Sequence, residues 1–562
     1  MSRYLLRLRR TLFLGIDRIG ARLRNNFYLY AAVIFTLIAL VDFFSANLIV
    51  GMRHKSFDAM VRNRIIVTAP AAEIVILDID ERSLAALAPE FGRWPWPRQV
   101  LAEMVEKLNP QQPRAIVFDI LFSDADLFNP DSDSYFNEVI AGSQNTWFPM
   151  VRLDPTADRE SELKVAQLPG AHPGAGADPN ATIAAIFPYF AAIQSSGRVG
   201  FNNIVPDSDG ISREYPLLHR AAGYEIPALP LAVVRGLQPQ VEVPEKILLN
   251  WRGRPFTYPY LSFADVFTDL RKEQPQRFAE TFKDKIVIIG STAPSLLDIK
   301  ATAVDRQFPG VEILATAIDN LIHGDWLRVP ALPFFYLSIT LAILWLTAWG
   351  FYRHGAGGKL DRFYGLSQFL LIAVAYAAIN FWHLYINLTG PVMFCFVYYS
   401  IARYYAFATA RALDDSVAVR LRSDGSAARG ALLLLRFDLP TREEGALVKL
   451  AAVLKKRCQE QPSSEWLSGR QKGLWRLLEN TLILCWQAEA GDDRRWEAIR
   501  TEVETLQAAL PEILATPVFR DLLPASQLTL SRAEGGLGSH GEEDWRALLG
   551  AALLQHQGGM EK

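Results

Sequence analysis

The chain has 562 residues, half of them hydrophobic, and carries 58 basic against 60 acidic side chains for a net charge of −2. That length holds more than one domain; the net charge says nothing about nucleic acid, and none is expected as a partner. Eight unclustered histidines do not suggest a metal site, and residues 51–330 contain no cysteine, which excludes a disulfide there.

Residues 1–26 form a basic segment, with Arg3, Arg7, Arg9, Arg10, Arg18, Arg22 and Arg24 opposed only by Asp17. Within it, residues 4–23 read as a basic amphipathic helix on a membrane surface. The apolar run 27–50 follows. As a helix it would extend about 36 Å, enough to cross a hydrocarbon core of about 30 Å. The arginines before it place its start on the cytoplasmic side. It is too long for a cleaved signal peptide and lacks a small-x-small cleavage pattern. Asp42 falls inside this run. An intramembrane carboxylate is costly, so it reads either as functional or as a hydrogen-bonded contact in the helix bundle.

Residues 51–330 read as a soluble domain. The run 74–77 (Ile-Val-Ile-Leu), ending in Asp78 and Asp80, and the run 115–118, ending at Asp119, flank a helical stretch at 98–108. Strand, helix and strand in this spacing predict a βαβ unit with parallel pairing. A third run, 285–290, leads into a predicted helix at 310–323. A mostly parallel sheet covered by helices is expected. In open α/β sheets the C-terminal strand edge holds the ligand crevice. Asp78, Asp80 and Asp119 at that edge could bind a cation or hydroxyl groups, or simply cap helices and turns. The segment Arg93-Trp94-Pro95-Trp96-Pro97-Arg98 is held extended by its prolines and projects two indoles. Trp94, Trp96 and Arg98 are ligand-binding candidates there, the alternative being a lid packed on the core. Asp209-Gly210 lies between β-type runs and predicts a hairpin.

The ordered set Asp78-Ile-Asp80-Glu81-Arg82-Ser83-Leu84, Arg93-Trp-Pro-Trp-Pro-Arg98 and Phe118-Asp119-Ile-Leu-Phe122 resembles the CHASE2 extracellular sensor domain. So do Gly200-Phe-Asn202, Asp209-Gly-Ile-Ser-Arg213, residues 285–290 with Asp298, and Pro309-Gly-Val-Glu312. The resemblance covers about 50–330. It implies a bacterial inner-membrane receptor with a periplasmic sensor, one span before it and three after, and an extracytoplasmic ligand that the resemblance does not identify. In the last helix Ile313-Leu314-Ala315 departs from the common His-Ala pair.

Three further spans are expected at 331–352, 366–384 and 391–409, separated by the basic loop 353–363 and by the turn around Asn387-Leu-Thr-Gly-Pro391. Four crossings place both termini in the cytoplasm. A linker helix (410–429) then leads to an output domain (430–562). Its expected order is a strand at 431–437, a helix at 443–458, a hairpin of 474–478 and 481–487, a helix at 494–510, a strand at 527–531 and a helix at 543–555. That βαββαβα order builds an α/β sandwich of the split-βαβ type. With Asp438 closing the first strand, it resembles nucleotidyl and diguanylate cyclase domains. The resemblance implies two metal-bearing carboxylates, one after the first strand and one in the hairpin. Asp438 fits the first and only Glu479 the second. The glycine expected in the hairpin turn is missing, so a degenerate, non-catalytic domain is the leading expectation. Gly535-Gly536-Leu537-Gly538 reads as a connector rather than a phosphate loop. No pattern names a cofactor.

The leading reading is a receptor whose output domain grips a cytoplasmic protein partner, with a homodimer expected from the receptor class. A divergent cyclase using Asp438 and Glu479, and a structural scaffold of an envelope complex, are the alternatives.

Overall fold

The computed structural model describes residues 26–552 except 47–48, 331–332, 355–357, 419–426, 440–442, 468–479, 490, 538–543, 546–547 and 550. The amphipathic segment expected at 4–23, the strand at 474–478 and Glu479 lie outside the described residues. The chain divides into two compact units. One comprises Ala39–Thr340 with Leu366–Met393, the other the residues before Ala39, Leu341–Gly365 and everything from Phe394 onward.

In the first unit the elements run as follows. After α1 (Phe27–Val41) and a π-turn at Asp42–Ala46 comes α2 (Val50–Arg62), then β1 (Ile74–Asp78), α3 (Glu81–Phe91), α4 (Arg98–Leu108) and β2 (Ala115–Phe118). Next are α5 (Pro130–Gly142), β3 (Thr146–Arg152), β4 (Ala185–Ile186), β5 (Val199–Phe201), β6 (Glu214–Pro216), α6 (Leu229–Leu237) and β7 (Lys246–Leu248). The series closes with β8 (Tyr260–Ser262), α7 (Phe263–Leu270), β9 (Ile286–Gly290) and α8 (Gly310–His323).

The main sheet has the order β8-β1-β9-β2-β3, and β3 also pairs with β4 and β5. All these pairings are parallel except β3 with β4. The predicted βαβ unit is corrected in one respect. β1 and β2 are parallel but do not touch, because β9 lies between them. Parallel strands are buried on both faces, which is why they read as unbroken β-branched runs. Alternate side chains divide between two cores. Val75, Leu77, Ile116, Phe118, Val287 and Ile289 face α3, α4, α5 and α7. Ile74, Ile76, Ala115, Val117, Ile286 and Ile288 face α2, α6 and α8.

One expectation fails here, and one pair of alternatives is decided. The Asp209-Gly210 turn forms, with Gly210 at φ +78°, but no hairpin surrounds it. β5 pairs with β3, and β6 pairs with β7. The indoles do not project. Trp96 is 1% exposed, sits edge-on to Trp94 and packs on Phe263. The prolines extend the chain as expected, and hydrophobic burial decides which way the rings turn.

Among the described residues, three helices are long and apolar enough to cross a membrane: Phe27–Phe44, Phe334–Arg353 within α9 (Pro333–His354), and α10 (Gly358–Phe381). The first of these helices runs to Phe44, within the span expected at 27–50. The fourth expected span falls inside α11 (Thr389–Ala418), a 30-residue helix that is not among those three. Its Tyr398, Tyr399, Arg403, Tyr404 and Tyr405 lower its apolar character.

The second unit contains a four-stranded sheet. It is built from β10 (Ala427–Phe437), β11 (Ser464–Leu467), β12 (Thr481–Glu489) and β13 (Leu528–Gly536), with α12 (Glu444–Arg457) and α13 (Asp493–Leu514). The sheet order is β11-β12-β10-β13 and every pairing is antiparallel. This is the split-βαβ arrangement expected from the element order. The described partner of β12 is Ser464–Leu467, which precedes the expected 474–478. One face of the sheet packs Leu433, Leu435, Leu482 and Leu484 under the two helices. The other packs Leu432, Leu434 and Ile483 under Leu537, Trp545, Leu548 and Leu549.

Candidate functional site

The C-terminal ends of β1, β9 and β2 meet in register, with Asp78 beside Gly290 and Phe118 beside Ile289. Each end carries a carboxylate or a glycine, and the loops that follow complete the edge.

Asp78 is the last residue of β1 and is buried. Its two oxygens accept the Thr292 N–H at 2.9 Å and the Thr292 hydroxyl at 2.6 Å. Burial pushes its carboxyl above the ordinary value, and the Thr292 bonds act against that. Asp80 caps α3, accepting the Ser83 N–H at 2.7 Å. Ser262 at the end of β8 also donates to it, at 3.3 Å.

Asp119 follows β2. Its Oδ1 accepts Asn202 Nδ2 at 2.5 Å, and Asn202 Oδ1 in turn accepts the Tyr215 hydroxyl at 2.5 Å. Asp298 approaches from the loop before α8, where its carbonyl accepts the Gly310 N–H at 3.0 Å. Lys300 stands 3.3 Å from Asp298 Oδ1. Burial, followed by the negative charge of Asp298, pushes the Asp119 carboxyl up to about 7, while Asn202 and Lys300 restrain the rise. Gly290 makes this proximity feasible. A Cβ there would lie 2.6 Å from Val311 Cγ2 and 3.1 Å from Asp119 Cβ. Asp119, Asn202, Tyr215, Asp298 and Lys300 thus form one polar group with a carboxyl poised to change charge near neutrality. Such a group can hold a cationic or hydroxyl-bearing ligand, or exchange a proton with solvent.

The structure divides the residues that the sequence singles out. It brings Asp78, Asp80 and Asp119 to one edge, where Asp78 and Asp80 are taken up by turn and cap bonds. Trp96 goes to the core with the half-buried Trp94 packed against it, and the Arg98 guanidinium lies 5.7 Å from the Phe122 ring centre. Sequence reasoning missed Asn202, Tyr215, Asp298 and Lys300 as members of the edge. Asn202 and Asp298 had a signal, since both stand in the motifs that carry the family resemblance. Tyr215 and Lys300 had none.

Two buried ion networks support the sheet from its other face. Arg213 spans Asp58 (2.7 and 2.8 Å), Asp207 (2.6 Å) and Asp209 (2.7 and 2.9 Å). Its hydrogen bonds hold the Asp209 carboxyl down at about 2. His54 comes close enough to Asp207 and Asp209 for their ligand atoms to lie within 4.8 Å of one another, but Arg213 already supplies the cation those carboxylates face. Arg252 grips Asp319 (2.6 and 3.0 Å) and Asp325 (2.7 and 2.8 Å).

Asp42 sits in the π-turn after α1, where it accepts Arg53 Nη2 at 2.5 Å and the Ile49 N–H at 3.3 Å. Asp438 is exposed immediately after β10. Asn480 directly precedes β12. It is buried, has φ +50°, accepts the Phe437 N–H through its carbonyl, and accepts the Glu443 N–H through its side chain at 3.0 Å.

The stretch that runs from α1 through the parallel sheet to α9 matches a sensor module of signalling proteins. Residues 32–353 match the CHASE2 domain, more than half of the chain, and the protein belongs to that family. No curated relative and no solved structure matches the chain.

Proposed function

We propose that this protein is a bacterial inner-membrane receptor. It crosses the membrane four times, holds its CHASE2 domain in the periplasm and both termini in the cytoplasm, and signals through a non-catalytic C-terminal domain as a homodimer. The observation that carries this reading is the placing of the sensor sheet between apolar helices, with a separate split-βαβ domain beyond the last of them. The cue acts at the Asp119–Asp298 edge as a cationic or hydroxyl-bearing ligand. A ligand switches the receptor only through different affinities for its two states, and a carboxyl that changes charge near pH 7 gives such a difference.

The relay has a physical path inside the first unit. The turn after α10 is stitched to the sensor, because Arg328 N–H donates to His383 O at 2.9 Å and Tyr385 N–H to Arg328 O at 2.9 Å. The Tyr385 ring meets Phe57 of α2 edge-on at 5.0 Å. A shift of the sensor therefore reaches α11, which begins at Thr389 and leads toward the C-terminal domain.

Fusions of a periplasm-active phosphatase after residues 200 and 365 test the arrangement. Activity at 200 and none at 365 is expected, and activity at 365 overturns it. The strand order of the C-terminal sheet favours one second reading, a divergent cyclase. Incubation with Mn²⁺ and ATP or GTP is expected to give no cyclic product. A product that disappears in Asp438→Ala would replace the non-catalytic reading. Affinity purification from native membranes is expected to recover a cytoplasmic protein partner.

A further inference from the structure

Residues 63–67 follow α2 and belong to no helix or strand. They carry three consecutive apolar side chains pointing outward: Ile65 is 81% exposed, Ile66 44% and Val67 43%. Such a run is unfavourable in water, and a soluble domain has no structural need for it.

Its backbone is treated as backbone is treated in lipid. The N–H groups of Ile65 and Ile66 both donate to one oxygen, Asn380 Oδ1, at 2.9 and 3.0 Å. The Tyr376 hydroxyl donates to the Asn63 carbonyl. Asn380 and Tyr376 stand one turn apart near the end of α10, a helix apolar enough to span a bilayer. Asn380 is buried and completes its bonding by donating to Tyr376 O at 2.7 Å. Non-helical backbone is tolerated at membrane depth only where protein groups satisfy it, and a buried polar side chain on a spanning helix needs such a partner. Here each requirement meets the other.

Apolar side chains are also exposed on α10 itself: Leu366, Phe369, Leu370, Ile372 and Val374 along its length, and Phe381 and Trp382 at the end that carries Asn380. Aromatic side chains at a helix end suit the headgroup boundary.

We propose that residues 63–67 form a foot of the sensor domain immersed in the outer-leaflet boundary of the bilayer, fastened to α10 by Asn380 and Tyr376. The partner is lipid. The proposal rests on the reading that α10 crosses the membrane with its Phe381 end outward. The foot fixes the height of the sensor over the membrane and joins it to α10 without a covalent link.

The test uses the full chain in phosphatidylcholine–phosphatidylglycerol vesicles, with bimane attached to Ile65→Cys, Phe381→Cys or Leu127→Cys. The parent chain gives the labelling background, since its three cysteines are buried. Leu127 is 85% exposed on a sensor loop and reports water. Doxyl-labelled lipid is expected to quench the Ile65 and Phe381 probes several-fold more than the Leu127 probe, and iodide the reverse. Adding Asn380→Ala should move Ile65 toward iodide while Phe381 stays with lipid. If iodide quenches Ile65 as it does Leu127, or neither agent does, while Phe381 remains lipid-quenched, the foot is overturned and the spanning arrangement stands. If Phe381 itself is quenched by iodide, the spanning reading fails and the foot with it.

Discussion

The two α/β bodies of this chain handle charge in opposite ways. The sensor sheet is parallel, and buried ions surround it: Asp58, Arg64, Asp78, Arg213, Arg252, Asp269, Glu312 and Asp319 are all withdrawn from water. The C-terminal sheet is antiparallel and apolar on both faces. Among its described residues the buried polar ones are Asn480, Thr481 and Ser531, none of them ionisable. Buried charge is expensive and weak as a source of stability, but it makes a structure respond to ions and protons. The sensor sheet is thus surrounded by groups whose charge can respond to ions and protons, and the C-terminal sheet has no such group among its described buried polar residues.

The largest expected effect tests whether the sensor's buried ions are structural. Arg252 serves two carboxylates and is 1% exposed, so Arg252→Ala leaves both uncompensated in the interior. A loss of about 3–5 kcal/mol is expected in denaturant unfolding of the full chain. A loss below about 1 kcal/mol would erase the contrast between the two bodies.

Next is the pH dependence that Asp119 imposes. Its folded carboxyl stands at about 7, against about 3.9 in an unfolded chain. Between those values the folded state holds more protons, so its stability falls as pH rises from about 4 to about 7 and is level above that. The slope is at most about 1.4 kcal/mol per pH unit. Asp119→Asn should remove it, as thermal unfolding across that pH window would show. An unchanged profile would mean that Asp119 is ionised throughout and the edge has no proton to exchange.

Gly290→Ala presses a methyl between Val311 and Asp119. Overpacking of this kind costs about 1–3 kcal/mol, and it should displace the Asp119 titration as well. Lost stability with an unmoved titration would separate the glycine's packing role from the site.

What the sequence made legible follows the range of the forces involved. The runs 74–78, 115–118 and 286–290 could be read as strands because burial on both faces leaves a mark in each segment by itself. Their order could not, since β9 enters between β1 and β2 from about 170 residues away, and nothing local records it. The edge behaved in the same way. Asp119 was visible at a strand end, whereas its partners Asn202, Tyr215 and Asp298 reach it through tertiary contacts. The Asp209-Gly210 turn was read correctly and its hairpin wrongly, because turn chemistry is local and strand pairing is not. For Trp94 and Trp96 the sequence left projection and a lid packed on the core both open, and apolar burial decides for the packed lid. In the C-terminal domain the strand and helix order was legible from local apolar patterns, although the strand described before β12 is Ser464–Leu467 and precedes the expected 474–478.

The smallest expected effect bears most directly on the C-terminal domain. Asp438 is exposed, and its backbone N–H, not its carboxylate, is what joins β10 to Gln527 O, at 2.9 Å. Asp438→Ala should therefore change stability by less than about 0.5 kcal/mol. Asn480 is the informative neighbour. It is buried, adopts a left-handed backbone and ties the start of α12 to the turn through Glu443 N–H, so Asn480→Ala should cost about 1–3 kcal/mol for the unsatisfied N–H and the strained backbone. A cyclase needs the reverse ranking of purpose, with the carboxylate essential to turnover and the turn open to phosphate. If Asp438→Ala abolishes a product while Asn480→Ala leaves the fold intact, the domain is an enzyme and the contrast between the two bodies must be redrawn. If Asn480→Ala destabilises and Asp438→Ala is silent in both stability and turnover, Asn480 is a structural tie between β10, α12 and β12, and the proposed non-catalytic reading stands.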